Sequence, residues 1–165
     1  MKISPFTKSF NRAAFECGIE TLDLYLKKAL SQDIKKNAAS GFILHEEESL
    51  NILGYYTLSA AGFDAERIPD EYRNQLPRYS QIPATLLGRL AISKSAQGCG
   101  LGEILLMDAL QKSWDSRETI ASWAVIVDAI NLDARRFYEH FEFESLGDQE
   151  MRLFLPMKKI GKLFG

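Results

Sequence analysis

The sequence predicts a mixed α/β fold, one sheet with antiparallel and parallel neighbours flanked by helices, and three observations point there. A hairpin pattern, two apolar runs around a polar turn, occupies residues 41–61. A nearly continuous apolar strand, Thr85–Ile92, runs through a glycine-rich turn into an amphipathic helix. Strand and helix patterns then alternate through the second half of the chain. Hairpins make antiparallel pairs and strand–helix–strand crossovers make parallel ones, so both kinds are expected in one sheet.

Each element has its own signal. Leu22, Tyr25, Leu26, Ala29, Leu30 and Ile34 recur at three- and four-residue spacing and predict one face of a helix, with Lys27, Lys28, Lys35 and Lys36 off that stripe. Gly41–His45 and Ile52–Ala61 are the hairpin arms around Glu46–Asn51. Residues 64–83 carry Pro69, Pro77 and Pro83 among many charges and predict a surface loop or short helix. Thr85–Ile92 has the apolar continuity of a strand covered on both faces. Leu101–Trp114 predicts a helix with Leu101, Ile104, Leu105, Ala109, Leu110 and Trp114 inward. Ser122–Val127 is a second buried strand, Leu132–Phe141 a helix, and Phe143–Leu146 and Met151–Pro156 close the sheet.

Composition narrows the function classes. The chain has 165 residues, 46% apolar and 25% charged, the balance of one globular domain spanning residues 1–165 and not of a disordered or fibrous protein. A formal net charge of −2 leaves nucleic-acid binding to be decided by local basic clusters. Cys17 and Cys99 show no paired spacing, and the N-terminus has no apolar leader core, so reduced thiols and a cytoplasmic location are expected. No metal-ligand pattern is assigned.

The chemistry concentrates at Gln97-Gly98-Cys99-Gly100-Leu101-Gly102, between a buried strand and a helix. Glycines there let backbone N–H groups approach an anion, and the helix N-terminus adds its positive dipole end. The spacing fits neither a Walker A loop nor G-x-G-x-x-G, because no Lys-Ser/Thr follows and position 103 is Glu. By itself the segment implies a backbone anion site or a tight packing turn.

This segment resembles the Q/R-x-x-G-x-G/A signature of the GNAT acetyltransferases. Asn131-Leu132-Asp133-Ala134-Arg135-Arg136-Phe137-Tyr138, closed by Phe141 and Phe143, is similar to that family's N-x-x-A-x-x-F-Y-x-x-x-G-F segment, with Glu142 in place of its glycine. Phe15-Glu16-Cys17-Gly18, Gly54–Ser59, Leu76–Tyr79, Leu87–Ala91 and Leu153–Met157 extend the resemblance to the GNAT toxins of type II toxin–antitoxin modules.

The resemblance implies a GNAT fold, with a mostly antiparallel sheet splayed between two parallel strands. It implies acetyl-CoA as cofactor, with Leu90, Ala91 and Ile92 pairing with pantetheine and Gln97, Gly98, Cys99, Gly100, Leu101 and Gly102 holding pyrophosphate. Asn131 and Phe137 are further cofactor contacts, and Tyr138 is the general acid, a phenol being neutral at pH 7. It implies aminoacyl-tRNA as acceptor, with Arg89, Lys28 and Lys36 toward it, and a ribbon-helix-helix antitoxin and a homodimer as assemblies. A general base stays open among His45, His140, Glu46, Glu47 and Asp128, or solvent alone. The competing functions are acetylation of a small amine and non-catalytic acyl-CoA binding.

Overall fold

The computed structural model describes all 165 residues. Seven strands form one sheet in the order β1-β2-β3-β4-β5-β7-β6. In chain order they are β1 (Lys2–Pro5), β2 (Ser40–His45), β3 (Gly54–Asp64), β4 (Gln81–Ile92), β5 (Ala124–Asp128), β6 (Glu144–Leu146) and β7 (Gln149–Pro156). The pairs β1–β2, β2–β3, β5–β7 and β6–β7 are antiparallel, whereas β4–β5 is parallel. The helices are α1 (Glu20–Leu24), α2 (Leu30–Lys35), α3 (Leu101–Ser116), α4 (Leu132–His140) and α5 (Met157–Phe164), with a π-helical turn at Tyr25–Ala29 joining α1 to α2. The mixed sheet and flanking helices agree with the predicted fold class. No helix is long and apolar enough to cross a membrane.

The chain divides into two compact units, Met1–Ser59 with Gly88–Ala109, and Ala60–Leu87 with Leu110–Gly165. In the first, the predicted helical stripe buries Leu22, Tyr25, Leu26 and Leu30 against Phe10, Phe15, Ile43, Ile52, Tyr55 and Ala91. In the second, Phe63, Ile68, Tyr72, Ile82, Ala84, Ala124, Ile126, Leu146 and Phe154 form the core, and Trp123 packs on it. Residues 65–75 hold two 3-10 turns, Ala65–Arg67 and Asp70–Gln75, from which Ile68 and Tyr72 reach inward.

The register of β4 with β5 runs from Ala84–Ala124 to Leu87–Val127 and stops there, although β4 continues through Gly88–Ile92.

Several sequence expectations need adjustment. The second hairpin arm begins at Gly54, because Ile52 and Leu53 belong to the turn. Strand β4 begins at Gln81, ahead of the expected Thr85, and Pro83 is accommodated with its carbonyl accepting from Trp123 N–H at 2.9 Å. Ile104 is 43% exposed and not inward. The buried face of α3 follows Leu101, Leu105, Leu106, Ala109 and Leu110, and Ile104 falls off it. Strand β1 and helix α5 were not expected. Each is short, and β1 takes its register wholly from β2, from Lys2–His45 to Pro5–Phe42.

Candidate active site

Strand β4, a 3-10 turn at Lys94–Ala96, the glycine-rich loop and the start of α3 follow one another without interruption. Gly98 has φ +80° and Gly100 φ +77°, the left-handed region that L side chains rarely adopt. A Cβ built at either glycine would meet no atom within 4 Å. These glycines are therefore not explained by close packing; they shape a loop that is open in front. Helix α3, sixteen residues long, begins at Leu101 and leaves its first N–H groups without intrahelical partners. A loop with this backbone and this dipole fits a pyrophosphate. Cys99 is exposed, and its thiol donates only weakly, to the Gln97 carbonyl at 3.8 Å.

The side chain of Gln97 behaves differently from its loop. Its Nε2 donates to the Cys17 carbonyl at 2.8 Å and to the Ile92 carbonyl at 2.9 Å. Both N–H donors of this side chain are thereby spent inside the protein, and neither is left for a cofactor. Ala91 is buried, while Leu90 and Ile92 are half-buried.

Arg89 stacks on the ring of Tyr25, its guanidinium carbon 3.5 Å from the ring centre. The Tyr25 hydroxyl donates to Asp33 at 2.7 Å. Burial, followed by that hydrogen bond, pushes the Tyr25 phenol up to about 12, against the opposing influence of Arg89. The π-helical turn that starts at Tyr25 is the kind of helix irregularity often found at functional sites. Lys28 and Lys36 are exposed on the same helical stretch. Sequence reasoning missed the Arg89–Tyr25–Asp33 arrangement, because Tyr25 lies on the apolar stripe and its partner is 64 positions away.

In the second unit, α4 carries the other predicted residues. Asn131 is its N-cap, with Oδ1 accepting from Ala134 N–H at 2.8 Å. Asn131→Ala is expected to cost about 1 kcal/mol, lowering the melting temperature by roughly 2–4 °C in a scan of thermal unfolding. Tyr138 is 6% exposed among Phe137 and Phe143, with ring centres at 5.2 and 5.4 Å. No side-chain hydrogen bond engages its hydroxyl, and no buried side-chain polar atom is left without a partner. Burial pushes the phenol well above its ordinary value. The group stays protonated throughout the neutral range. Glu142, standing where the resembled family has glycine, holds φ +71°. The turn is kept, with strain on a residue poorly suited to it.

Two of the five candidate bases, His45 and Asp128, are engaged elsewhere. His45 is buried, its Nδ1 donating to the Glu46 carbonyl at 2.7 Å and its Nε2 accepting from Ser4 at 2.8 Å. Asp128 receives both arms of Arg152, at 2.8 and 3.1 Å. Glu46, Glu47 and His140 are exposed.

Comparison with known proteins places this geometry. Residues 10–160 match the model of the acetyltransferase (GNAT) domain. A tRNA-acetylating toxin of Mycobacterium tuberculosis is 31% identical over 152 residues, covering 92% of this chain and 89% of that protein. The probable toxin TacT of Sinorhizobium fredii is 26% identical over 162 residues, covering 94% and 90% respectively. Among solved structures, AtaT complexed with acetyl-methionyl-tRNA has a TM-score of 0.92 at 32% identity, covering 99% of each chain. A tyrosine-to-phenylalanine mutant of KacT has a TM-score of 0.93 at 32% identity, covering 99% of this chain and 98% of its own.

Proposed function

This chain belongs to the GNAT acetyltransferase family, and from that premise we propose that it is a toxin that uses acetyl-CoA to acetylate the amino group of aminoacyl-tRNA. The observation that carries the proposal is the likeness, over 99% of the chain, to AtaT in complex with acetyl-methionyl-tRNA. Structures of AtaT with acetyl-CoA and with the antitoxin AtaR support the same donor and a dedicated antitoxin partner. The family match over residues 10–160 supports a single catalytic domain, and such a substrate belongs to the cytoplasm.

Acetyl-CoA, when bound, supplies an acetyl thioester. Gly98–Gly102 offer backbone N–H groups to its pyrophosphate, and the part of β4 beyond its register with β5, Leu90–Ile92, offers backbone to pantetheine in the manner of an added strand. A backbone N–H at that strand end serves the charge that develops on the carbonyl oxygen. Tyr138 holds a proton at Oη for the departing sulfur, and burial ensures that the proton is present. An α-amino acceptor has a reference pKa of about 7.7–8.0, so much of it is already neutral near pH 7.5 and needs no dedicated base.

Arg89, held flat against Tyr25, and the exposed Lys28 and Lys36 supply the cations for the tRNA backbone. Arg89→Glu is expected to lower kcat/KM for charged tRNA by about tenfold or more and to flatten the plot of log kcat/KM against log salt concentration by about one unit. Rates measured from low to high salt on both proteins test this. Equal salt slopes would remove Arg89 from the tRNA surface.

A further inference from the structure

Gln97 opens the donor loop, yet both N–H donors of its carboxamide are engaged within the protein. Nε2 has two N–H donors and two acceptors, the Cys17 and Ile92 carbonyls. One belongs to the turn before α1 and the other is the last residue of β4. Two more contacts bind that turn to the segment leading into the loop. The Lys94 N–H donates to the Glu16 carbonyl at 2.8 Å, and Lys94 Nζ lies 3.1 Å from Glu16 Oε1. The turn is itself anchored to α1, because the buried Asp23 accepts from Cys17 N–H at 2.8 Å. Gly18 follows at φ +99°, where a Cβ would lie 3.1 Å from Lys94 Cε. A side chain at position 18 is therefore disfavoured chiefly by the backbone conformation, and it would also press on the Lys94 side chain that ties the turn to the segment before the loop.

We propose that Gln97 is a positioning residue, whose carboxamide, seated between the Glu16–Gly18 turn and the end of β4, fixes the pyrophosphate loop relative to the pantetheine strand. The proposal rests on the acetyl-CoA reading above and gives the N-terminal turn a part in donor recognition. The physical need is plain. A loop with two glycines at positive φ has the most permissive backbone available, and an anion cradle that must be ordered on binding loses affinity in proportion. A side chain that ties the first residue of the loop to the end of β4 and to the Glu16–Gly18 turn restrains that freedom at the loop's entrance while leaving the glycine backbone to the ligand. Two donors on one planar group are required, which a glutamine supplies and a glutamate of the same shape does not.

The test compares acetyl-CoA with acetyl-pantetheine, which lacks the pyrophosphate, as donors to charged tRNA. In Gln97→Glu the ratio of kcat/KM for acetyl-CoA to that for acetyl-pantetheine is expected to fall about tenfold, the loss of a hydrogen-bonded tie. Gln97→Arg, which restores N–H donors, is expected to bring the ratio back within about threefold of the original. Gly18→Ala, which alters the turn and not the loop, should lower the same ratio, and it carries the test if Gln97→Glu fails to fold. A general structural defect would depress both donors alike. An unchanged ratio in a folded variant overturns the positioning role while leaving the acetyl-CoA reading standing. Failure of the unaltered protein to bind acetyl-CoA in titration calorimetry overturns that reading, and the positioning role with it.

Discussion

Tyr138→Phe is expected to retain acetyl-CoA binding and to lose roughly 10²- to 10⁴-fold in turnover, the range contributed by a positioned general acid. The substitution removes only Oη from a side chain that is otherwise packed against Phe137 and Phe143. Because no side-chain partner is hydrogen-bonded to that hydroxyl, its removal leaves no buried group stranded, and the melting temperature should stay within a few degrees. Single-turnover rates beside calorimetric titration separate the two effects. The pH dependence follows from the direction of the phenol's shift. A raised value keeps Tyr138 protonated as pH increases, so it contributes no loss of activity between pH 6 and 9. The rise in kcat/KM over that range instead follows deprotonation of the acceptor amine, near its reference value of about 7.7–8.0. A falling limb near neutrality would argue against the phenol as the acid. Unchanged turnover in Tyr138→Phe would remove it from the mechanism.

Gly100→Val is expected to weaken acetyl-CoA affinity by about 30-fold or more without unfolding the protein, since a left-handed L residue is strained by about 1–2 kcal/mol and a β-branched one by more. At φ +77° a valine must either hold that strained conformation or move the loop. In the first case its side chain enters the open space in front of the loop, and in the second the N–H groups lose their aim. Both weaken the site. Because the position makes no packing contact through a Cβ, the cost to thermal stability is limited to the backbone strain of that one residue. Titration of the variant with acetyl-CoA, alongside Gly100→Ala as the milder change, decides the point. Wild-type affinity in Gly100→Val would show that the loop does not hold the cofactor.

What the sequence made legible were features written in local pattern. The helical stripe from Leu22 to Ile34, the hairpin, the strands β4 and β5, and the glycine loop before α3 were readable because their periods and turn residues are short-range, although β4, expected to be covered on both faces, buries only Leu87 and Ala91 within Thr85–Ile92. The two spaced motifs then made the family visible, and the match over residues 10–160 agrees with it. What was not legible depended on partners far away in the chain. Strand β1 gains its identity from pairing with β2. The stacking of Arg89 on Tyr25 and the grip of Gln97 on Cys17 join positions with no sequence relation. The expectation for Gln97 treated the whole residue as cofactor-binding, whereas the structure divides it, with the side chain turned inward. Glu142 is similar in kind: its departure from glycine raised a question about the turn, and in the folded chain a glutamate holds φ +71° there.

The central claim, that this enzyme's acceptor is aminoacyl-tRNA, is tested most directly by incubating the protein with radiolabelled acetyl-CoA and a mixture of charged tRNAs beside a panel of free amines. The predicted result is label on the α-amino group of charged tRNA, absent from uncharged tRNA and abolished by Tyr138→Phe. Label found only on the free amines would contradict it.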